Sequence, residues 1–180
     1  AFECAINEAE CGALMTAYNL VNGQHCSENE FLIMKNLRGD WNFEGVVMSD
    51  WVSTYSTEGA ANRGLDLEMP TAVHMNAERL LPLIEKGIVS EKTIDDKVRR
   101  IIKLALRCGW LDNEQQDSSI PLDNPETAKI ALDTAKEGFV LLRNQNNFLP
   151  LRKDELKTVA VIGYNAGNEI ICGGGSAYTH

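Results

Sequence analysis

Gly45-Val46-Val47-Met48 runs without a break into Ser49-Asp50-Trp51. An apolar run of this kind reads as a buried strand. It ends in a carboxylate beside a flat aromatic ring. A buried strand needs other structure packed on it, so this stretch organises the reading of everything before and after it.

The chain in front of it alternates. Residues 1–11 carry Phe2, Ala5, Ile6 and Ala9 at helical spacing, and Gly12 ends that helix. Ala13–Tyr18 reads as a short apolar strand, and Asn22-Gly23 is a turn dipeptide. Ser27 is the expected N-cap of a helix from Glu28, with Glu30 completing a capping box. That helix is expected to bury Phe31, Leu32 and Leu37 and to end near Gly39.

Beyond Asp50, residues 52–59 read as a polar loop. Leu65–Met69 alternates apolar and acidic residues and is closed by Pro70. It reads as a third short strand with Asp66 and Glu68 sharing one face, a wet face ahead of the alternative of polar barrel-mouth residues. A helix is expected over 76–86, with Pro82 a kink, and another after Ser90 with Ile94, Val98, Ile101, Ile102 and Ala105 on one face. Alternating units of this kind indicate an α/β domain with parallel strands. Three strands are too few to close a barrel, so the chain reads as the last part of a larger parallel domain.

Residues 112–124 are polar and hold a proline, which marks a linker. Asn124 or Asp123 then caps a helix with Pro125 in its first turn. Phe139–Leu142 and Thr158–Ile162 read as strands, with Asn144–Asn147 a turn. A second α/β unit begins here. The expected division is 1–111, a linker over 112–124, and 125–180.

A net charge of −9 on 180 residues argues against non-specific binding to nucleic acid or anionic membranes. No apolar run reaches the roughly 20 residues of a membrane helix. Five cysteines without a CxxC pair make neither a disulfide framework nor a zinc site, and the three histidines lie far apart. No metal and no cofactor are expected. Gly173–Ser176 lacks the lysine of a phosphate-binding loop and reads as a surface or active-site loop. The chain begins at Ala1 without Met or a signal-peptide pattern, and both ends read as cut. A periplasmic or secreted setting is expected ahead of a cytoplasmic one.

Asp50 is the leading candidate for chemistry, because catalytic groups of parallel barrels sit at the carboxyl ends of strands. The bland alternative is a loop or capping acid. Trp51 offers an aromatic face suited to the C–H face of a pyranose, or else belongs to a core. Met15 and Tyr18, at the end of the first strand, are by residue type more often core than site.

Read together, MTAYNLVNG, LRGDWNF, EGVVMSDW, GLDLEMP, EGFVLLRNQNNFLPL, TVAVIGYNA and GGGSA, in this order, resemble glycoside hydrolase family 3, which includes the β-glucosidases. The resemblance covers nearly all of the chain. It implies the C-terminal part of a (β/α)8 barrel followed by the start of an α/β sandwich domain. It also implies hydrolysis of β-linked sugars with retention, through a covalent glycosyl-aspartate on Asp50. Met15, Tyr18 and Trp51 would contact the sugar, and Ser176 would reach it from the GGGSA loop. The partner implied is a β-glycoside.

The family's sugar-gripping Arg, Lys-His and Asp would precede Ala1, and the acid/base glutamate of its two-domain members would follow His180. Neither Glu58 nor Glu68 takes that role. After Asp50-Trp51 this chain has Val52-Ser53-Thr54 where relatives often have Gly-Ala, which leaves the leaving-group subsite open. A β-xylosidase or an N-acetyl-β-glucosaminidase is the alternative activity. The third reading is that the 180-residue piece alone is not catalytic.

Overall fold

The computed structural model describes residues 1–121 and 124–167. It divides the chain into two units, Ala1–Ser119 and Ile120–His180.

The first unit is mixed α/β. Helix α1 (Phe2–Asn7) leads into strand β1 (Ala13–Met15). The helix is shorter than its apolar spacing predicts, and only Ile6 is buried. A two-residue hairpin follows, β2 (Leu20–Val21) and β3 (Gln24–His25). Its turn is Asn22-Gly23, both with positive φ (52° and 80°), as a hairpin turn with matched twist requires.

Ser27 is not the expected helix cap. It lies in a 3-10 turn (Cys26–Glu28), and its buried hydroxyl donates to the Ser53 carbonyl at 2.5 Å. The capping is done by Asn29, whose Oδ1 accepts from Leu32 N. A ten-residue π-helix (Phe31–Asp40) then buries Ile33 and Leu37, four residues apart, and leaves Phe31 exposed.

Strand β4 (Val46–Met48) pairs with β1 in parallel, Ala13 opposite Val46 and Met15 opposite Met48. The expected third strand is reduced to a single parallel bridge between Met48 and Leu67. The backbone is still held closely there: Leu67 N donates to Val47 O and Ser49 N to Leu67 O. Residues 52–59 are not all loop, because Ser56 caps a short helix, α2 (Thr57–Asn62). Helix α3 (Ala77–Glu85) carries Pro82 inside it, and α4 (Glu91–Arg107) starts on Ser90, whose Oγ accepts from Thr93 N. The core gathers Ile6, Ile33, Leu37, Phe43, Val47, Ala60 and Leu65.

The wet face expected for Leu65–Met69 is dry. Asp66 is buried, with one carboxylate oxygen taking Arg38 at 2.6 Å and the Val47 amide at 2.8 Å. Its other oxygen takes Arg100 at 2.8 Å. Glu68 is also buried and accepts from the backbone amides of His74 and Met75. Alternation along a strand reports only that two faces differ. Here the polar face meets cations and amides of other segments instead of water.

In the second unit Asn124 caps α5 (Pro125–Gly138), its Oδ1 accepting from Glu126 N, with Pro125 in the first turn. Asp123, the other expected cap, lies outside the described residues. The turn over Asn144–Asn147 is present, with Asn144 bonded twice to Leu149. The expected strands are not: Phe139–Leu142 and Thr158–Ile162 pair with nothing in a ladder among the described residues, and their side chains face solvent. A strand exists only by pairing, and apolar content supplies no partner. Gly173–Ser176 falls outside the described residues.

Candidate functional site

Asp50 lies two residues past the end of β4. The strand delivers it there because Val46 and Val47 are locked in the core. Ser49 is buried, and its hydroxyl accepts from Met69 N at 2.8 Å. The chain is therefore gripped on the residue before the acid and on the residue two after it, since Val52 N donates to Met69 O. Asp50 itself is half-buried, and its Oδ1 accepts from the amide of Trp51 at 2.6 Å.

Three of the other sequence candidates gather at this strand end, and none is core. Met15 ends β1 directly opposite Met48 and is exposed. Trp51 and Tyr18 are each about half-exposed, at 51% and 50%. The Tyr18 phenol lies against Asp50. Its pKa is raised above the ordinary tyrosine value, first by loss of solvent, then by the hydrogen bond to Asp50 and that group's negative charge. A phenol is protonated at neutral pH, so the Tyr18 hydroxyl has a proton to offer the carboxylate. Ser176 lies outside the described residues.

The departure at Val52 has a conformational counterpart. Val52 takes a left-handed backbone (φ 55°), a region that β-branched residues avoid and glycine enters without cost. Its side chain is exposed beside Trp51, while Ser53 and Thr54 are buried.

Two residues passed over in the sequence also belong to this end. The His25 and Tyr55 rings stack with centroids 3.5 Å apart and planes 15° from parallel. Both reach the backbone carbonyl of Tyr18. The hairpin dipeptide Asn22-Gly23 held the signal for His25, since a two-residue turn sets Leu20 opposite His25. No sequence signal pointed to Tyr55.

Among the described residues no group of three or more His, Cys, Asp or Glu side chains is placed to hold a metal ion. No described helix is long and apolar enough to cross a membrane.

A family model described as the glycosyl hydrolase family 3 N terminal domain matches residues 1–104, and its C-terminal domain counterpart matches residues 139–180. β-Glucosidase B of Emericella nidulans is 42% identical over 179 residues, covering 98% of this chain and 21% of that protein. A β-glucosidase of Rhizobium radiobacter is 41% identical over 176 residues, covering 98% of this chain and 21% of that one. The chain thus spans about a fifth of the length of the curated relatives it matches. Among solved structures, β-glucosidase 3B from Thermotoga neapolitana in complex with α-D-glucose aligns with a TM-score of 0.83 at 33% identity, over 99% of this chain and 25% of that one. A Listeria innocua β-glucosidase in complex with glucose aligns with a TM-score of 0.75 at 30% identity, over 84% of this chain and 23% of that one. On the match to residues 1–104, which is more than half its length, the chain belongs to glycosyl hydrolase family 3.

Proposed function

We propose that the full-length protein carrying this chain is a retaining exo-β-glycosidase of the β-glucosidase type, with Asp50 as its nucleophile. Residues 1–111 are the last part of its (β/α)8 barrel, residues 112–124 the linker, and residues 125–180 the start of an α/β sandwich domain. Relatives named β-glucosidase along 98% of the chain support glucose over xylose or N-acetylglucosamine.

One observation carries the reading. Asp50 stands at the carboxyl end of a parallel strand with the Tyr18 phenol against it and the exposed Met15 and Trp51 beside it. A carboxylate so placed attacks the anomeric carbon from the face opposite the leaving oxygen. The C–O bond to the aglycone breaks as a bond to Asp50 forms, and a second carboxyl group protonates the departing oxygen. Water, deprotonated by that same second group, then releases the sugar and returns Asp50 as a carboxylate. The resemblance to the family's two-domain members makes that second group a glutamate of the sandwich domain, expected beyond His180.

Each neighbour has a part in this. The Tyr18 hydroxyl holds the attacking carboxylate in one orientation. Trp51 offers an aromatic face to the ring's C–H face. Met15 supplies apolar contact, and Ser176 a polar contact from its loop.

In the full-length protein, Asp50→Ala should lower turnover of an aryl β-glucoside by more than about a thousandfold. Azide should restore part of it by attacking from the vacated face and giving the α-glycosyl azide. Undiminished turnover would sink the assignment. An aryl β-xyloside and an aryl N-acetyl-β-glucosaminide, run beside the glucoside, decide the sugar.

A further inference from the structure

We propose that His25 and Tyr55 form a clamp on the backbone of Tyr18 and thereby position the Tyr18 hydroxyl against Asp50. The proposal rests on the reading of Asp50 as nucleophile.

Tyr18 needs such a support. The last sheet bond on its side is Thr16 N to Met48 O, at 2.8 Å. Tyr18 follows two residues later, outside any ladder, yet its phenol has to meet a carboxylate on a different segment. Its carbonyl oxygen is where two donors converge. His25 Nδ1 lies 3.3 Å away, and since a carbonyl only accepts, that nitrogen carries the proton. The Tyr55 hydroxyl donates to the same oxygen at 3.4 Å. Both contacts are long for hydrogen bonds. The stacked rings share the load, because each restricts the other's tilt.

Each half of the clamp is anchored independently. His25 ends the hairpin, in register with Leu20, and the next residue's amide, Cys26 N, bonds Asn19 O at 3.2 Å. Asn29 Nδ2 reaches across to Val21 O at 2.8 Å. Tyr55 is held by its own amide, which donates to the buried Glu28 carboxylate at 2.8 Å. The same carboxylate takes the amide and hydroxyl of Ser56. The stack thus joins the segment carrying Tyr18 to the segment that follows Asp50. Neither ring is a catalytic residue; both act through Tyr18.

The test is a double-mutant cycle in the full-length protein, with kcat and KM measured on an aryl β-glucoside. His25→Ala should lower kcat about tenfold, since a displacement on the order of an ångström at a reacting group costs that much or more. KM should change less than about twofold, because ground-state sugar contacts remain. In a Tyr18→Phe background the same change should cost less than about twofold, the mark of coupled residues. His25→Asn, whose side-chain amide can place an N–H near the Nδ1 position, should recover about half of the lost kcat or more.

Tyr55→Phe keeps the stack and removes one hydroxyl, so it serves if His25→Ala does not fold. Its fall in kcat, about threefold, should also vanish in the Tyr18→Phe background. Equal losses with and without the Tyr18 hydroxyl would overturn the clamp, as would a fall in thermal stability with kcat unchanged. Asp50→Ala in the same series separates the two ideas. An active Asp50→Ala protein sinks the nucleophile reading, whereas an inactive one with an additive cycle sinks only the clamp.

Discussion

At the scale of single residues, the decisive polar groups of this chain lie below the site as well as at it. Asp66 is fully buried between two arginines, with side-chain exposures of 0% for Asp66, 10% for Arg38 and 27% for Arg100. It also accepts the Val47 amide in the middle of β4. Asp66→Asn keeps an acceptor for that amide and removes the charge, leaving two partly buried guanidiniums facing each other. Loss of about 3 kcal/mol of stability is expected, read by urea unfolding of the full-length protein. Lys97 belongs to the same cluster. Its ammonium donates to Leu65 O at 2.6 Å, and burial, ahead of the opposing pull of Asp66, lowers its pKa to about 8. The unfolded chain therefore holds that proton more tightly than the folded one, and the charged form costs stability below about pH 8. Stability contributed at this residue should rise with pH from about 8 toward the ordinary lysine value of 10.5. Urea midpoints across that range should climb in the parent and lose that increment in Lys97→Met.

At the scale of elements, the site depends on how closely β1 approaches β4. Val46 N donates to Gly12 O at 3.1 Å, so the two strands meet at glycines on both sides. A Cβ on Gly45 would stand 2.3 Å from the Gly12 carbonyl oxygen and 2.5 Å from the Phe43 ring. Neither neighbour has room to retreat: one is backbone, and Phe43 is in the core. Gly45→Ala should cost about 2 kcal/mol and move Asp50, so activity should fall along with the urea midpoint. Among the elements, the strand leading to Asp50, the turn at Asn22-Gly23 and the caps at Ser90 and Asn124 were legible from residues alone. Each rests on contacts within a few positions. The dry environment of Asp66 was not legible, because its arginines arrive from 28 and 34 residues away. The same holds for Ser27, which looks like a cap in sequence but spends its hydroxyl on a carbonyl 26 residues distant.

At the scale of the whole molecule, the chain spans about a fifth of the relatives it matches and leaves much apolar surface uncovered. Phe139, Val140 and Leu142 are 82%, 78% and 92% exposed, and Ile162 is 89% exposed. Contiguous apolar segments without partners invite association. Residues 1–180 produced alone should bind a hydrophobic dye, elute larger than a monomer and show no aryl β-glucosidase turnover. A cooperative melt with measurable turnover from this piece would count against that expectation.

Local rules carry the rest of the division. The buried strand leading to Asp50, the tight turn after Tyr18 and the order of the family motifs are all written in neighbouring residues. Long-range packing alone makes Asp66 and Glu68 dry, keeps Met15, Tyr18 and Trp51 clear of the core, and brings His25 to Tyr55 over the Tyr18 carbonyl. Those outcomes depend on which distant segment fills the space beside a side chain, and periodicity along the chain carries no record of that.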